Sequence, residues 1–317
     1  MRPSPTVSIL ICTHNHADSL APTLQSLAAV QVPPGWSCQL LVVDNASTDH
    51  TKSIIQSAPI SSMPVIYLHE PRKGQNNAYN LGLTAATGDV ILFTDDDIRF
   101  PANWIEAMAT PILNGEADAV GGGVHIAPHL ERPWMQQIHR TMQAETTFLD
   151  PLNPEYLVAA NLAIRRKVFD TIPAFDPELG PGALGYGGEY LLLKQMRLAG
   201  FRLTTRFHIA VEHHFDESRL LRKNWLDVAK RQGKTGGYIA HHWEHKEIPL
   251  IRLHAVARSI RLSLWKLSHP AALRRKDGCD ARELELLRSA SFYANLLKER
   301  RRPRRYTTPK ALQVPVT

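Results

Sequence analysis

The sequence predicts a doubly wound, mostly parallel α/β sheet flanked by helices and followed by a helical, basic C-terminal extension. Three observations carry this. Short, continuously apolar runs alternate with helical segments through the first third of the chain. Three of those runs end in polar, acceptor-rich loops. The surplus of positive charge lies in the C-terminal fifth.

The runs are Val7 to Cys12, Gln39 to Asp44, Val65 to His69 and Val90 to Thr94. Their hydrophobicity is continuous rather than alternating, as strands of a parallel sheet covered on both faces require. Between them, Ser19 to Val30, Asp49 to Ser57 and Asn76 to Ala86 read as helices. Asp18 or Ser19, and Ser47 or Thr48, are the expected N-caps. A sheet of this kind binds ligands in the crevice at the carboxyl ends of its strands.

The chain has 317 residues, 44% of them apolar and 21% charged, enough for one extended domain or two smaller ones. No stretch approaches the roughly 20 apolar residues of a membrane span. The Val7 to Cys12 run is too short for a signal peptide. Cys12, Cys38 and Cys279 share no metal or redox spacing, so reduced thiols in a cytoplasmic protein are expected. From Ile251 onward there are 16 Lys plus Arg against 5 Asp plus Glu, which leaves residues 1–250 at −4. With an acidic body and no aromatic residues interleaved among the cations, nucleic acid is not an expected partner.

At the strand ends stand Thr13-His14-Asn15, Asp44-Asn45 and Asp95-Asp96-Asp97. Any one could be a turn; three at one sheet edge point to a site. Adjacent carboxylates repel and raise one another's pKa. A hard divalent cation, Mg²⁺ or Mn²⁺, would relieve that repulsion and keep positions open for phosphate oxygens. A solvated acidic turn is the alternative.

The ordered segments VSILICTHN (7–15), VVDNASTD (42–49), RKGQNNAYNLGL (72–83), GDVILFTDDD (88–97), ANLAIRRKVFD (160–170) and GYGGEYLLLKQMRLAG (185–200) together resemble family 2 glycosyltransferases. The resemblance runs over about residues 6–235. It implies a GT-A fold, a nucleotide-diphosphate sugar donor, a divalent metal (Mn²⁺ or Mg²⁺) and inversion at the anomeric carbon. It further implies a nucleotide-sugar-binding half at 1–118 and an acceptor and catalytic half at 119–235, with the basic extension at 236–317.

Carried over residue by residue, the resemblance makes Asp97 a metal ligand and Asp95 a contact to ribose or metal, with Asp96 able to replace either. Asp44 would hold the base, with Thr13 and Asn15 beside it, unless it merely closes an Asx turn. Family members usually have arginine where this chain has Tyr79, so Lys73 or Arg72 would have to meet the phosphates. Asn161 matches a polar position beside the sugar. His213 is the candidate last ligand to metal or diphosphate.

The segment Gly180 to Gly188 carries five glycines and leads into a helix with Glu189 in its first turn. There the family usually reads Glu-Asp and uses the second carboxylate as base. Here Tyr190 stands second, and an ordinary tyrosine, with a pKa near ~10, is a poor base at neutral pH. Glu189 is therefore the expected catalytic base. Glu178 or Asp176 would be the substitute, and absence of activity the further alternative.

His14, His16, His50, His125, His129 and His139 share no spacing and are set aside. His241, His242 and His245 around Trp243 read as a helix face packed on a neighbouring segment. Trp104 and Trp134 could stack on an acceptor or pack internally.

Two readings remain for the extension. Leu253, Val256, Ala257, Ile260, Leu264 and Leu267 form one helical stripe, and Lys298 to Arg305 read KERRRPRR. Either this is an interfacial helix with a polybasic segment drawn to anionic lipid, or the stripe packs on the body and the tail is solvated.

The expected activity is metal-dependent, inverting transfer of a sugar to a hydroxyl of a glycan or lipid-linked acceptor, in polysaccharide, cell-envelope glycan or glycolipid synthesis. The expected location is cytoplasmic, with peripheral contact at the inner face of the plasma membrane as a further reading. The alternative is a sugar-nucleotide or glycan-binding protein of the same fold that lacks catalytic activity.

Overall fold

A computed structural model describes residues 4–154 and 156–306. Its sheet has eight strands in the order β3-β2-β1-β4-β7-β6-β8-β5. These are β1 (Thr6–Thr13), β2 (Ser37–Asp44), β3 (Val65–His69), β4 (Val90–Thr94), β5 (Ile98–Arg99), β6 (Ala119–Ile126), β7 (Leu162–Arg165) and β8 (Leu203–His213). The first four pair in parallel; β7 joins β4 and β6 antiparallel, β6 and β8 are parallel, and β5 closes the edge antiparallel to β8.

The helices are α1 (Ala17–Ala28), α2 (Thr51–Gln56), α3 (Gln75–Ala85), α4 (Trp104–Leu113), α5 (Gln137–Met142), α6 (Gly188–Leu198), α7 (Arg222–His242), α8 (Ile251–Ser268), α9 (Pro270–Leu273) and α10 (Ala281–Glu299). Side chains alternate across a strand, so β1 feeds two cores. Val7, Ile9 and Ile11 meet α1 and α4 through Leu20, Leu24 and Trp104. Leu10 and Cys12 meet α3 and α6 through Tyr79, Leu192 and Met196. Both faces are dry, which is why these strands are apolar throughout. Trp104 thus belongs to the core, and Trp134 packs edge-on against Trp225. All three cysteines are free and buried.

The first two helices start without the expected caps. Their N-cap residues are His16 and His50, neither with a side-chain cap bond. Asp49 serves instead, accepting the Ala17 N–H at 3.2 Å and the Thr51 N–H at 3.1 Å.

A boundary at 235/236 falls inside α7, which is continuous from Arg222 to His242. This helix packs directly on α10 through glycines. A Cβ on Gly233 would lie 2.3 Å from the Arg288 carbonyl oxygen, and one on Gly237 would lie 2.8 Å from the Leu296 nitrogen. The C-terminal helices are therefore joined to the body by backbone-close packing. Among the described residues no helix is long and apolar enough to cross a membrane.

Alanine at Gly233 gains helix propensity of about 1 kcal/mol but drives its methyl into the α10 backbone. Gly233→Ala is expected to lower stability by a net ~1–2 kcal/mol in urea denaturation, with the m-value unchanged.

Candidate functional site

The sheet order reverses between β1 and β4, and a cavity of about 460 Å³ opens at their carboxyl ends. Register explains who meets there. Thr13 lies beside Asp44, and Thr94 beside Ile11, so the loops after β1, β2 and β4 emerge together. The β5–β8 pairing sets Ile98 opposite His213, which carries that imidazole from the far end of the chain to the acidic trio.

Asp97 is buried, yet its Oδ1 has no hydrogen-bond partner. Its Oδ2 lies 3.3 Å from His213 Nε2 and 3.8 Å from Arg219. Burial alone would raise this carboxyl, but His213 and Arg219 outweigh it and hold Asp97 well below the usual range. Asp95 shifts the other way. Burial, the neighbouring Asp97 charge and the Asp96 charge push it up to about 7, against a lowering by His213. Asp96 pairs with His16 at 2.9 Å, and that hydrogen bond is the main cause of the imidazole rising to about 9. Oxygens of Asp96 and Asp97 and a nitrogen of His16 all lie within 4.8 Å of one another, a geometry able to hold a metal ion.

Thr13 lines the cavity with its hydroxyl unpartnered. Asp44 and Asn15 do not line it. Asp44 closes the Asx turn by accepting the Ser47 N–H at 2.9 Å, and also accepts the Tyr67 hydroxyl at 2.9 Å. Asn15 ties the β1 and β2 loops, its side-chain oxygen accepting the Thr48 N–H at 2.7 Å. Arg72 is spent on a bidentate pair with Glu70, whereas Lys73 lines the cavity and, among the described residues, forms no ion pair. Tyr79 is a neutral neighbour of Asp95, its hydroxyl at 3.4 Å.

Asn161 also departs from expectation. It is fully buried outside the cavity lining, donating to the Gly123 and Ile209 carbonyls and accepting the Trp104 indole N–H at 2.8 Å. Its amide knits the sheet to α4.

Glu189 faces the cavity from the first turn of α6, while Tyr190 is exposed outside it. Burial raises the Glu189 carboxyl above its ordinary value. Both substitutes are engaged elsewhere. Asp176 accepts from Tyr238 and Trp243 at 2.9 and 2.7 Å, and Glu178 pairs with Arg305 at 2.8 Å. His241, His242 and His245 hold the chain at 299–306 through Arg302, Glu299 and Tyr306.

The glycine segment closes over the cavity against the loop before α3. The Gln75 N–H donates to the Pro181 carbonyl at 2.9 Å, and Asn76 donates to the Asp176 carbonyl at 2.8 Å. Gly182, at φ +86°, packs so close that a Cβ would lie 2.9 Å from Gly74 Cα. Asn45 fixes that loop by accepting the Gly74 N–H at 2.8 Å and donating to the Arg72 carbonyl at 2.7 Å.

His16 and Arg219 are site residues that sequence reasoning missed. His16 carried one usable signal, its place in the loop after β1. Arg219 carried none, because only the β5–β8 pairing brings it near.

The sequence pattern described as Glycosyl transferase family 2 matches residues 8–172. The succinoglycan biosynthesis protein ExoM of Rhizobium meliloti is 30% identical over 141 residues, 43% of this chain and 45% of ExoM, so the match spans under half of that relative. Glycosyltransferase AglE of Haloferax volcanii is 25% identical over 256 residues, 80% of this chain and 79% of AglE. Among solved structures, the mannosyltransferase PcManGT of Pyrobaculum calidifontis, in complex with GDP-Man and Mn²⁺, superposes with a TM-score of 0.60. It is 16% identical, and the match covers 94% of this chain and 88% of that one. The fold is that of the GT-A group, with its mostly parallel sheet between helices.

If Asn161 is a structural hub, Asn161→Ala strands the Trp104 N–H and two carbonyls. It should cost ~2–4 kcal/mol of stability in urea denaturation.

Proposed function

The chain belongs to glycosyl transferase family 2, and on that premise we propose that it moves a sugar from a nucleotide-diphosphate donor to an acceptor hydroxyl, with metal dependence and inversion. The observation that carries this reading is the convergence of Asp95, Asp96, Asp97, His213, Lys73 and Glu189 on one cavity at the sheet's switch point. The likeness to a mannosyltransferase solved with GDP-Man and Mn²⁺ supports a nucleotide sugar and a divalent ion.

The residues fit a divalent cation: Asp97 has a buried oxygen without a partner, and a carboxylate oxygen of Asp97, one of Asp96 and a ring nitrogen of His16 lie within 4.8 Å of one another. Asp97, Asp95 and Asp96 would hold the ion, with His213 or His16 completing the set once it gives up its proton. A bound Mn²⁺ or Mg²⁺ supplies positive charge beside the departing diphosphate.

The chain's own groups do the rest. Lys73 meets phosphate oxygens from the loop before α3. Thr13, with its free hydroxyl, contacts the nucleotide. His213 is oriented by its Nδ1 bond to the Gln143 carbonyl at 2.9 Å, which turns Nε2 toward Asp97. Glu189 takes the acceptor proton as the hydroxyl oxygen attacks the anomeric carbon on the face opposite the diphosphate. Burial raises its pKa and so strengthens it as a proton acceptor. A glycan or lipid-linked acceptor would enter past Tyr156, Tyr186 and Gln232, which line the other side of the cavity. The match to ExoM, a succinoglycan biosynthesis protein, supports polysaccharide synthesis as the setting, and cell-envelope glycan or glycolipid synthesis is the wider reading.

Turnover of sugar nucleotides, followed with and without Mn²⁺, tests this directly. Glu189→Gln should lower kcat by ~10²–10⁴-fold while nucleotide affinity stays within a few-fold. Equal turnover in both proteins would remove Glu189 as base, and no turnover in either would favour a binding protein. Asp95, near half-protonated at pH 7, must lose its proton to ligate a cation. Mn²⁺ binding should therefore release protons, and its affinity should rise with pH between about 6 and 8, read by calorimetry in buffers of different ionisation heat.

A further inference from the structure

The stripe on α8 does not pack on the body. Leu253, Val256, Ile260, Leu264 and Leu267 are 63%, 56%, 52%, 60% and 79% exposed. With about 100° per residue, they occupy one side of the helix. Ile251, Ala255, Arg258, Leu262 and Trp265 lie on the other and are buried or half-buried. That second side is the one fastened to α10, where His254 stacks on Tyr293 at 5.4 Å and Arg258 lies over the same ring at 5.7 Å. The helix thus has two apolar sides, and the structure uses one.

Charge identifies what covers the other. Arg252 and Arg261 flank the stripe on its two edges. From Ile251 to Lys276 there are seven Lys or Arg and no Asp or Glu. None of the seven forms an ion pair among the described residues. The KERRRPRR segment differs, since Arg302, Arg304 and Arg305 are paired with Glu299, Glu247 and Glu178. Lys298, Arg300 and Arg301 form no ion pair among the described residues either, so uncompensated charge sits on and just after α8 and again at the end of α10, but only α8 joins it to an exposed apolar stripe.

A second copy docking stripe to stripe would bring these cations together without an acid to receive them. An anionic lipid surface supplies both apolar depth and negative charge. We propose that α8 is an interfacial helix that lies flat on an anionic membrane, stripe inward, with Arg252, Arg261 and the Arg274-Arg275-Lys276 cluster at the headgroups. The helix is not a span. This goes beyond the transfer reading and does not depend on it, because the surface involves none of the cavity residues.

Co-sedimentation of the full chain with vesicles tests it. The wild type is expected to bind phosphatidylcholine vesicles containing about 30% phosphatidylglycerol at least ~10-fold more tightly than pure phosphatidylcholine. Raising salt to about 1 M should weaken that preference. Ile260→Ser/Leu264→Ser, at exposed positions, should reduce binding ~10-fold or more, with circular dichroism and sugar-nucleotide turnover in detergent-free buffer unchanged. Arg252→Gln/Arg261→Gln should reduce the preference for phosphatidylglycerol. Wild type that sediments with neither vesicle overturns the proposal. So does a dimer in sedimentation velocity that the serine variant dissociates without any lipid binding, which would make the stripe an interface between copies. Loss of turnover with vesicle binding intact would strike the catalytic reading and leave this one standing.

Discussion

Four carboxylates brought out of bulk water at one end of a sheet set the terms for everything around them. Asp95, Asp96, Asp97 and Glu189 line a cavity of about 460 Å³, and in isolation their mutual repulsion and desolvation would be costly. The chain answers part of that cost itself. His213 and Arg219 stand against Asp97, and His16 against Asp96. What remains is uneven: Asp97 is held strongly anionic while Asp95 is pushed to about 7. The orphaned, buried oxygen on Asp97 beside a half-neutral Asp95 leaves carboxylate oxygens that no protein donor takes, and a divalent cation would use them.

The second requirement is a roof that holds its shape. The loop before α3 and the glycine segment before α6 meet backbone to backbone, at Gly74 and Gly182, and are tied by Gln75 and Asn76. Asp176 anchors this roof to α7 through Tyr238 and Trp243, and Glu178 anchors it to Arg305 near the far end of the described chain. The C-terminal helices thus steady the segment that presents Glu189. The same helical layer carries the exposed stripe of α8.

Much of this was legible in the sequence where local pattern decides. Val90–Thr94 could be read to the residue because a strand buried on both faces is apolar from end to end, and Val65–His69, a half-buried edge strand, because its run is β-branched and aromatic. Helix starts were less legible, since His16 and His50 occupy the N-cap positions and a neighbouring aspartate does the capping. Thr13, Lys73, the aspartate trio and Glu189 could be found because each follows a strand or opens a helix at the sheet's ligand-binding edge. Asp44 and Asn15 share that signal, and Asn161 came from the resemblance alone, but all three are consumed by protein partners, a distinction that only tertiary hydrogen bonding makes. Arg219 depends on how β5 pairs with β8, and the free side of α8 depends on which face α10 covers. Periodicity could show the stripe but not its neighbour.

The central claim is that the acidic trio exists to hold a divalent cation together with a nucleoside diphosphate. Electron paramagnetic resonance of Mn²⁺ titrated into the wild type and into Asp97→Asn, each with and without UDP or GDP, tests it most directly. The account predicts saturable loss of the free-ion signal in the wild type, tightened by one of the nucleotides, and little or none in the variant. Equal uptake by both proteins, or no uptake by the wild type with either nucleotide, would contradict it.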